Sequence, residues 1–291
     1  MEINFQSAHT LADVRALLRN GLTPHYGERE AAAMARAILM HLKGWSLTRL
    51  LADEDREASD FVKGRSDEIF RLLMQDVPLQ YALGDTTFYG LKLKVRPGVL
   101  IPRPETEELV DLIVSENRKS DLEVLDLCTG SGAIAIALAR NLPFSRVEAI
   151  DISPQAVEVA RENATELKVK VAIKQSDVFN LELPADRYDI IVSNPPYVAE
   201  SEKATMEPNV LNHEPHIALF VSNENPLIFY RHISMLAAKA LVPRGRLYYE
   251  INPLYASSLR EMLESLGYQD VRIIKDIHGK DRFAAARTPS A

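Results

Sequence analysis

Cysteine is almost missing from this chain. Cys128 is the only one, which excludes an intrachain disulfide and any cysteine-based zinc cluster and suits a reducing compartment. Positive charge is in deficit as well. The 34 Lys and Arg residues fall short of the 41 Asp and Glu, for a formal net charge of -7. No long-range field then draws the chain to phosphate backbones, and only a local basic patch could do so. No stretch is apolar enough to span a bilayer, and Met1-Glu2-Ile3-Asn4-Phe5 lacks the basic region and apolar core of a secretory signal. Internal repeats and low-complexity segments are absent. These absences predict a cytoplasmic, globular protein with no membrane and no stable nucleic-acid partner; a monomer is expected.

What is present is organised in three parts. A length of 291 residues exceeds one typical domain, so a large domain with a smaller companion is expected. Over residues 1–77 the pattern is helical. Leu11, Val14, Leu17 and Leu18 recur at helical spacing, and residues 31–42 combine strong helix formers with an apolar stripe. Gly21 and Pro24 are expected to separate the first two helices and Gly44 to end the second. Residues 59–74 supply a later helix whose apolar face carries Phe61, Ile69, Phe70 and Leu73. Over residues 78–103 the period changes to two, with Phe88, Leu91, Leu93 and Val95 arranged around Gly90, which predicts a β-hairpin linker. Residues 104–291 then alternate. Pro104 opens a helix whose Glu105, Glu107 and Glu108 favour the positive end of its dipole.

Strands are expected at 123–128, 146–151, 171–175, 188–193 and 246–251, with helices at 131–141, 153–167, 225–241 and 256–266. This order predicts a mostly parallel sheet covered on both faces. The last two strands, 271–275 and 282–286, are too close together for a helical crossover and should pair antiparallel.

The first strand of that series runs into Cys128-Thr129-Gly130-Ser131-Gly132 and then a helix. Glycine permits close backbone approach, and the helix start offers unpaired N–H groups. About twenty residues on, the next strand ends in Asp151, the spacing at which a carboxylate accepts hydrogen bonds from ribose hydroxyls. Ala135 replaces the third glycine of the dinucleotide fingerprint, so the turn is closer to the shorter loop that holds S-adenosylmethionine. Asp177 and Val178 follow the third strand, where an adenine amino group is expected. Cys128 has no histidine near it in sequence, so small buried packing is expected of it rather than nucleophilic work. His213-Glu214-Pro215-His216 does not make a metal site, because its proline and its spacing are wrong for a helical zinc motif. No metal is expected.

The fourth strand ends in Asn194-Pro195-Pro196-Tyr197. A residue before proline is held extended, so two successive carbonyls point in fixed directions. The Asn194 side-chain oxygen and the Pro195 carbonyl can accept both hydrogens of an NH2 group, with Tyr197 as a wall against its plane. Methyl transfer to a planar amide or amino nitrogen fits this arrangement. Positioning of that kind supplies about 7 to 11 kcal/mol, and no strong base is needed, since the nitrogen can lose its proton after the methyl arrives.

The chain resembles the protein-(glutamine-N5) methyltransferases of the HemK/PrmC type that modify peptide chain release factors. The resemblance rests on Pro78-Leu79-Gln80-Tyr81-Ala82-Leu83-Gly84, on Val99-Leu100-Ile101-Pro102-Arg103-Pro104-Glu105-Thr106-Glu107, and on the glycine turn. It also takes in Asn194-Pro195-Pro196-Tyr197-Val198, Glu214-Pro215 and Ala218-Leu219. It covers nearly the whole chain, and the Ile101–Glu107 segment is the part not expected in related adenine methyltransferases. The fold implied is a class I S-adenosylmethionine-dependent methyltransferase, a Rossmann-like, mostly parallel seven-stranded sheet with a small N-terminal helical substrate-recognition bundle and a hairpin linker. The implied substrate is the glutamine of the Gly-Gly-Gln motif in class 1 release factors. Cys128, Thr129, Gly130, Ser131, Gly132 and Asp151 would hold the methionine and ribose parts of S-adenosylmethionine, with Asp177 and Val178 bordering the adenine. Asn194, Pro195, Pro196 and Tyr197 would hold the glutamine amide, and Arg103 and Glu105 would either shape the pocket entrance or cap a helix. The chain departs from the family pattern in three places. Cys128 replaces a frequent glycine, Val178 stands where an aromatic is common, making Phe179 a candidate stacking partner, and Asn252 stands where glycine often follows Glu250-Ile251.

Two rivals share some of these features. An adenine-N6 methyltransferase acting on DNA or RNA would use the same acceptors, with an extruded base on Tyr197, but the acidic composition disfavours it. A catalytically silent S-adenosylmethionine-binding adaptor would have no need of an intact Asn194–Tyr197 motif.

Overall fold

The computed structural model describes residues 3–290, which divide into two compact units. The first takes the residues up to Gly84 together with Pro208–His213, and the second takes Asp85–Glu207 and the residues from Glu214 onward.

The first unit is helical. It contains α1 (Leu11–Tyr26), α2 (Glu28–Lys43), α3 (Leu47–Ala52), α4 (Asp60–Leu73) and α5 (Leu79–Leu83). Helix α1 starts at a capping box, in which Thr10 Oγ1 accepts the Asp13 N–H at 3.1 Å and Asp13 Oδ2 accepts the Thr10 N–H at 2.8 Å. Two expectations fail here. Gly21 and Pro24 do not break the chain, for α1 runs through both and stops at Gly27, whose φ of 80° is open to glycine. Gly21 serves packing instead, since a Cβ there would lie 2.8 Å from the Phe70 ring. Phe61 is 62% exposed rather than packed. In α4 the inward positions are Val62, Ser66, Ile69 and Leu73, so Phe61 lies one residue out of phase with the buried stripe. Gly44 ends α2 in the left-handed region as expected, with φ 63°.

In the second unit, β1 (Asp85–Phe88) and β2 (Leu91–Lys94) form an antiparallel hairpin. Tyr89 and Gly90 turn it at φ 49° and 70°, the positive values that match the twist of paired strands. Then follow α6 (Pro104–Glu116), β3 (Glu123–Leu127), α7 (Ala133–Asn141), β4 (Arg146–Asp151), α8 (Pro154–Glu166), β5 (Val171–Gln175), β6 (Tyr188–Ser193) and β7 (Val198–Ala199). After α9 (Pro208–His213), which groups with the first unit, come α10 (His216–Leu219), β8 (Phe220–Val221), α11 (Ile228–Ala240), β9 (Leu241–Glu250), α12 (Ala256–Ser265), β10 (Gln269–Lys275) and β11 (Asp281–Arg287). Strand β9 begins earlier than residue 246 because Leu241 already pairs with Tyr188 across an irregularity.

Seven strands make one sheet in the order β10-β11-β9-β6-β3-β4-β5. The five strands from β9 to β5 run parallel, and β11 lies antiparallel to both β9 and β10. Alternation along β3 sends Val124 to one face and Leu125 and Leu127 to the other. The first face is covered by Leu109 and Ile113 of α6, Ile134 and Leu138 of α7 and Val157 of α8. The second is covered by Tyr230 and Ile233 of α11 and Leu259 and Leu263 of α12. Each such fully buried side chain contributes about 1.5 to 3 kcal/mol relative to exposure. Together they make the three-layer fold rigid beneath the strand ends.

Gly21→Ala tests the packing role found for that residue. Alanine improves helix propensity by about 1 kcal/mol, while overpacking costs typically 1 to 3 kcal/mol, so the variant is expected to melt at a lower temperature than the parent. A higher melting temperature would show that the site has room.

Candidate active site

Strand register builds the site. Leu127 of β3 pairs with Ile150 of β4 and with Ser193 of β6, and Ser193 in turn pairs with Tyr249 of β9. The next residue on each strand therefore falls in one row across the carboxyl edge of the sheet: Asp151, Cys128, Asn194 and Glu250. Chain order reverses between β3 and β6, the place where open α/β sheets leave a crevice. Ser193 Oγ donates to the Leu127 carbonyl at 2.7 Å and staples the two central strand ends together.

A cavity of about 190 Å³ opens above this row. Cys128, Gly130 and Asp151 form its floor, Ile152, Val178, Phe179 and Phe229 its apolar side, and Asn194 and Pro196 the end toward β6. The Asp151 carboxylate is anchored through both oxygens, accepting the Gly130 N–H at 2.8 Å and the Ser153 N–H at 2.9 Å. Burial raises its pKa and these donors oppose the rise. Cys128 does not pack in the core as expected. It is half-buried, lines the cavity and holds φ 62°, a conformation glycine adopts without the penalty a Cβ incurs. Glycine would take this place at less cost than cysteine. Burial, with Asp151 nearby, pushes the thiol pKa up, so it is a poor nucleophile.

The rest of the glycine turn is structural support. Thr129 and Ser131 are buried and, with Gly132, are not part of the cavity wall. Gly132 caps α7 at φ 81°. A Cβ there would lie 3.1 Å from the Ala160 Cβ, so glycine lets α7 approach α8. Gly130 faces open space within the cavity it lines. Asp177 is engaged by the residues that follow it, accepting the Phe179 N–H at 2.9 Å and an Asn180 side-chain amide hydrogen at 2.8 Å. Phe179 is packed on Phe229, with ring centroids 4.9 Å apart. The apolar side can therefore take a flat aromatic group and the floor a polyhydroxyl group with a flexible polar chain, a combination that fits S-adenosylmethionine.

Of the residues expected to hold the acceptor, Asn194 and Pro196 line the cavity while Pro195 and Tyr197 lie outside its wall. No hydrogen bond joins the Asn194 side chain to another described residue, which leaves both its oxygen and its nitrogen for a ligand. Tyr197 is tied instead, its hydroxyl donating to Glu250 Oε1 at 2.9 Å. Burial and the carboxylate hold the Tyr197 pKa well above its ordinary value.

Arg103 occupies the N-cap position of α6 but makes no side-chain cap bond. Its guanidinium donates to Glu214 Oε1 at 2.6 Å, and Glu214 Oε2 accepts the Ile101 N–H at 3.2 Å. Glu214 is thus a buried brace for the segment before α6. Ile152, Phe229 and Ile217, all lining the cavity, were not legible as site residues, because an apolar residue carries no signal of which cavity it faces. Asp126 was missed too, although a carboxylate inside an otherwise apolar strand is itself a signal. It is fully buried. Its Oδ2 accepts the Thr129 hydroxyl at 2.6 Å and the Ala135 N–H at 3.2 Å, and its Oδ1 has no partner among the described residues.

Comparison with known proteins identifies relatives over nearly the whole chain. Residues 14–84 match the family described as PrmC N-terminal domain, and residues 105–215 match Methyltransferase small domain. A release factor glutamine methyltransferase of Bacteroides thetaiotaomicron is 45% identical over 94% of this chain and 98% of its own length. One of Streptococcus pneumoniae is 42% identical over 87% and 91%. Among solved structures, a methyltransferase from Pyrococcus furiosus superposes with a TM-score of 0.52 at 19% identity, covering 69% of this chain and 90% of its own, a likeness of fold.

Desolvation at Asp126 has a pH signature. It raises the carboxyl from 3.8 to about 7, against the opposing hydrogen bonds from Thr129 and Ala135. Because the folded value lies above the unfolded one, the stability linked to this proton is complete below pH 3.8 and is lost as pH rises through about 7. The stability difference between wild type and Asp126→Asn, measured by urea denaturation, should move against wild type across that window and level off above it. A difference independent of pH would show that Asp126 ionises normally.

Proposed function

The chain belongs to the release factor glutamine methyltransferases, and from that premise we propose that Asn194, Pro195, Pro196 and Tyr197 hold the side-chain amide of the glutamine in the Gly-Gly-Gln motif of class 1 release factors. The observation that carries this reading is the row at the carboxyl edge of the sheet, which sets the unpaired Asn194 amide beside the cavity of Cys128 and Asp151. S-adenosylmethionine, the cofactor, supplies an electrophilic methyl on its sulfonium when bound. The Asn194 oxygen and the Pro195 carbonyl accept the two amide hydrogens and fix the nitrogen, while Tyr197 limits tilt of its plane. Transfer would form the nitrogen–carbon bond at the expense of the sulfonium's sulfur–carbon bond. The nitrogen then releases one proton, so no strong base is required.

Asp151 would accept the ribose hydroxyls on lone pairs left free by Gly130 and Ser153, and the Cys128–Gly132 turn would accommodate the methionine chain. Asp177, Val178 and Phe179 would border the adenine, with the Phe179–Phe229 pair supplying the aromatic contact that Val178 cannot. The helical unit is the proposed site of release factor recognition, a reading supported by its match to the PrmC N-terminal domain. The proposed setting is the cytoplasm, with the enzyme monomeric and free of nucleic acid. The single cysteine supports a reducing compartment, and no helix among the described residues is long and apolar enough to cross a membrane.

Incubating the protein with a purified class 1 release factor and S-adenosylmethionine, followed by mass spectrometry of the Gly-Gly-Gln peptide, tests the reading. One added methyl on the glutamine is expected, and an unmodified glutamine under conditions where the cofactor binds would overturn it. In the same assay Asn194→Ala should lower turnover roughly 10² to 10³-fold, the scale of one lost preorganised hydrogen bond, with a smaller change in cofactor affinity. Unimpaired turnover would remove Asn194 from the mechanism.

A further inference from the structure

Glu250-Ile251-Asn252, at the exit of β9, has no role in the reaction as described so far, yet two of its side chains end on Tyr197. Glu250 is 1% exposed. Its two carboxylate oxygens are divided between two elements: Oε1 accepts the Tyr197 hydroxyl at 2.9 Å, and Oε2 accepts the Thr106 hydroxyl of α6 at 2.6 Å. The Tyr230 hydroxyl donates to the Glu250 backbone carbonyl at 3.0 Å and fixes the strand exit. Two residues on, and so on the same side of an extended chain, the Asn252 amide nitrogen donates to the Tyr197 carbonyl at 3.0 Å and to Glu202 Oε1 at 2.8 Å, while its oxygen accepts the Leu254 N–H at 3.0 Å. Tyr197 is thereby held at its hydroxyl by one residue and at its backbone by the other.

We propose that Glu250 and Asn252 are positioning residues for methyl transfer, acting through Tyr197, and that Asn252 supplies a second anchor that glycine at this place could not. The proposal rests on the assignment of Tyr197 to the acceptor amide. A buried carboxylate left with one donor would be costly, so Glu250 fixes Tyr197 and Thr106 together. This also gives Thr106, within the segment most specific to the family, a role in the site. It joins α6 to the last residue of Asn194-Pro195-Pro196-Tyr197 although the two segments are distant in sequence. A charge-assisted bond to the phenol restricts the ring; partners that orient metal ligands change affinity or activity by about 10 to 100-fold, and a loss of that scale is expected here.

A double-mutant cycle with Glu250→Gln and Tyr197→Phe tests this, read both as release factor methylation and as melting temperature. Glu250→Gln should lower kcat about 10 to 100-fold while KM for the release factor and the dissociation constant of S-adenosylmethionine change little. In the Tyr197→Phe background the same substitution should cost far less, and the melting-temperature shifts should likewise fail to add. A kcat loss of equal size in both backgrounds would overturn the proposal, as would a loss confined to KM. Thr106→Val separates a structural tie from positioning. It removes the other bond while leaving Tyr197 held, so its fall in kcat should be smaller than that of Glu250→Gln. If Glu250→Gln does not fold, Asn252→Gly takes its place, with a fall in kcat at unchanged cofactor affinity expected and an unchanged kcat counting against the proposal. If the wild type leaves the release factor unmodified, the substrate assignment fails, while coupling in melting temperature still decides whether Glu250 holds Tyr197.

Discussion

Parallel register at the centre of the sheet is the constraint on which the rest of this structure depends. Leu127, Ile150, Ser193 and Tyr249 lie level across four neighbouring strands, so whatever follows each of them must emerge side by side. A slip of one residue on any strand would turn its side chains to the opposite face. The buried faces of both layers make such a slip expensive, since Leu125 and Leu127 would exchange places with Val124 and Asp126. The hydrophobic core thus sets the separation of the Cys128 turn, Asp151 and Asn194.

Buried polar groups then convert strand ends into a shaped site. Asp126 ties the glycine turn to the first residues of α7, Glu214 ties Ile101 and Arg103, and Glu250 ties Tyr197 and Thr106. Each takes a carboxylate out of water, which is unfavourable unless hydrogen bonds replace the solvent. In all three cases the donors come from segments far apart in sequence or from a tight turn that would otherwise be loosely held. Asn194, which no such bond ties, lines the cavity. Asn194 keeps its amide unpaired, and Gly130 leaves space above it. Rigidity beneath and polarity left open above are what positioning a weakly nucleophilic amide requires.

Much of the architecture was readable from pattern. Apolar runs separated by amphipathic helices announced the parallel strands, and the short gap before the last strand required an antiparallel return. Failures came where two local signals competed. Gly21 and Pro24 look like a helix break, but tertiary packing against Phe70 uses the missing Cβ, and Pro24 falls only in the last turn, just before the helix stops at Gly27. Phe61 carries a large apolar ring and so reads as core, whereas Val62 holds the inward phase. Cys128 reads as a small packed residue, and only its positive φ and its place on the cavity floor show that it stands in a position glycine would take more easily.

Sequence by itself determined the chemistry available to this protein: a glycine turn followed by an acid at ribose spacing, a rigid Asn-Pro-Pro-Tyr strand end, and an Ile-Pro-Arg-Pro-Glu-Thr-Glu segment on which a family resemblance rests. These are local patterns, and covalent geometry carries them wherever the chain goes. Tertiary structure alone decided which residues act together. Nothing in the spacing of Thr106 and Glu250 announces their contact, which depends on strand order and on the burial of α6 against the sheet. Long-range pairing leaves no trace in spacing along the chain, so the supports of the site became visible only in the folded chain.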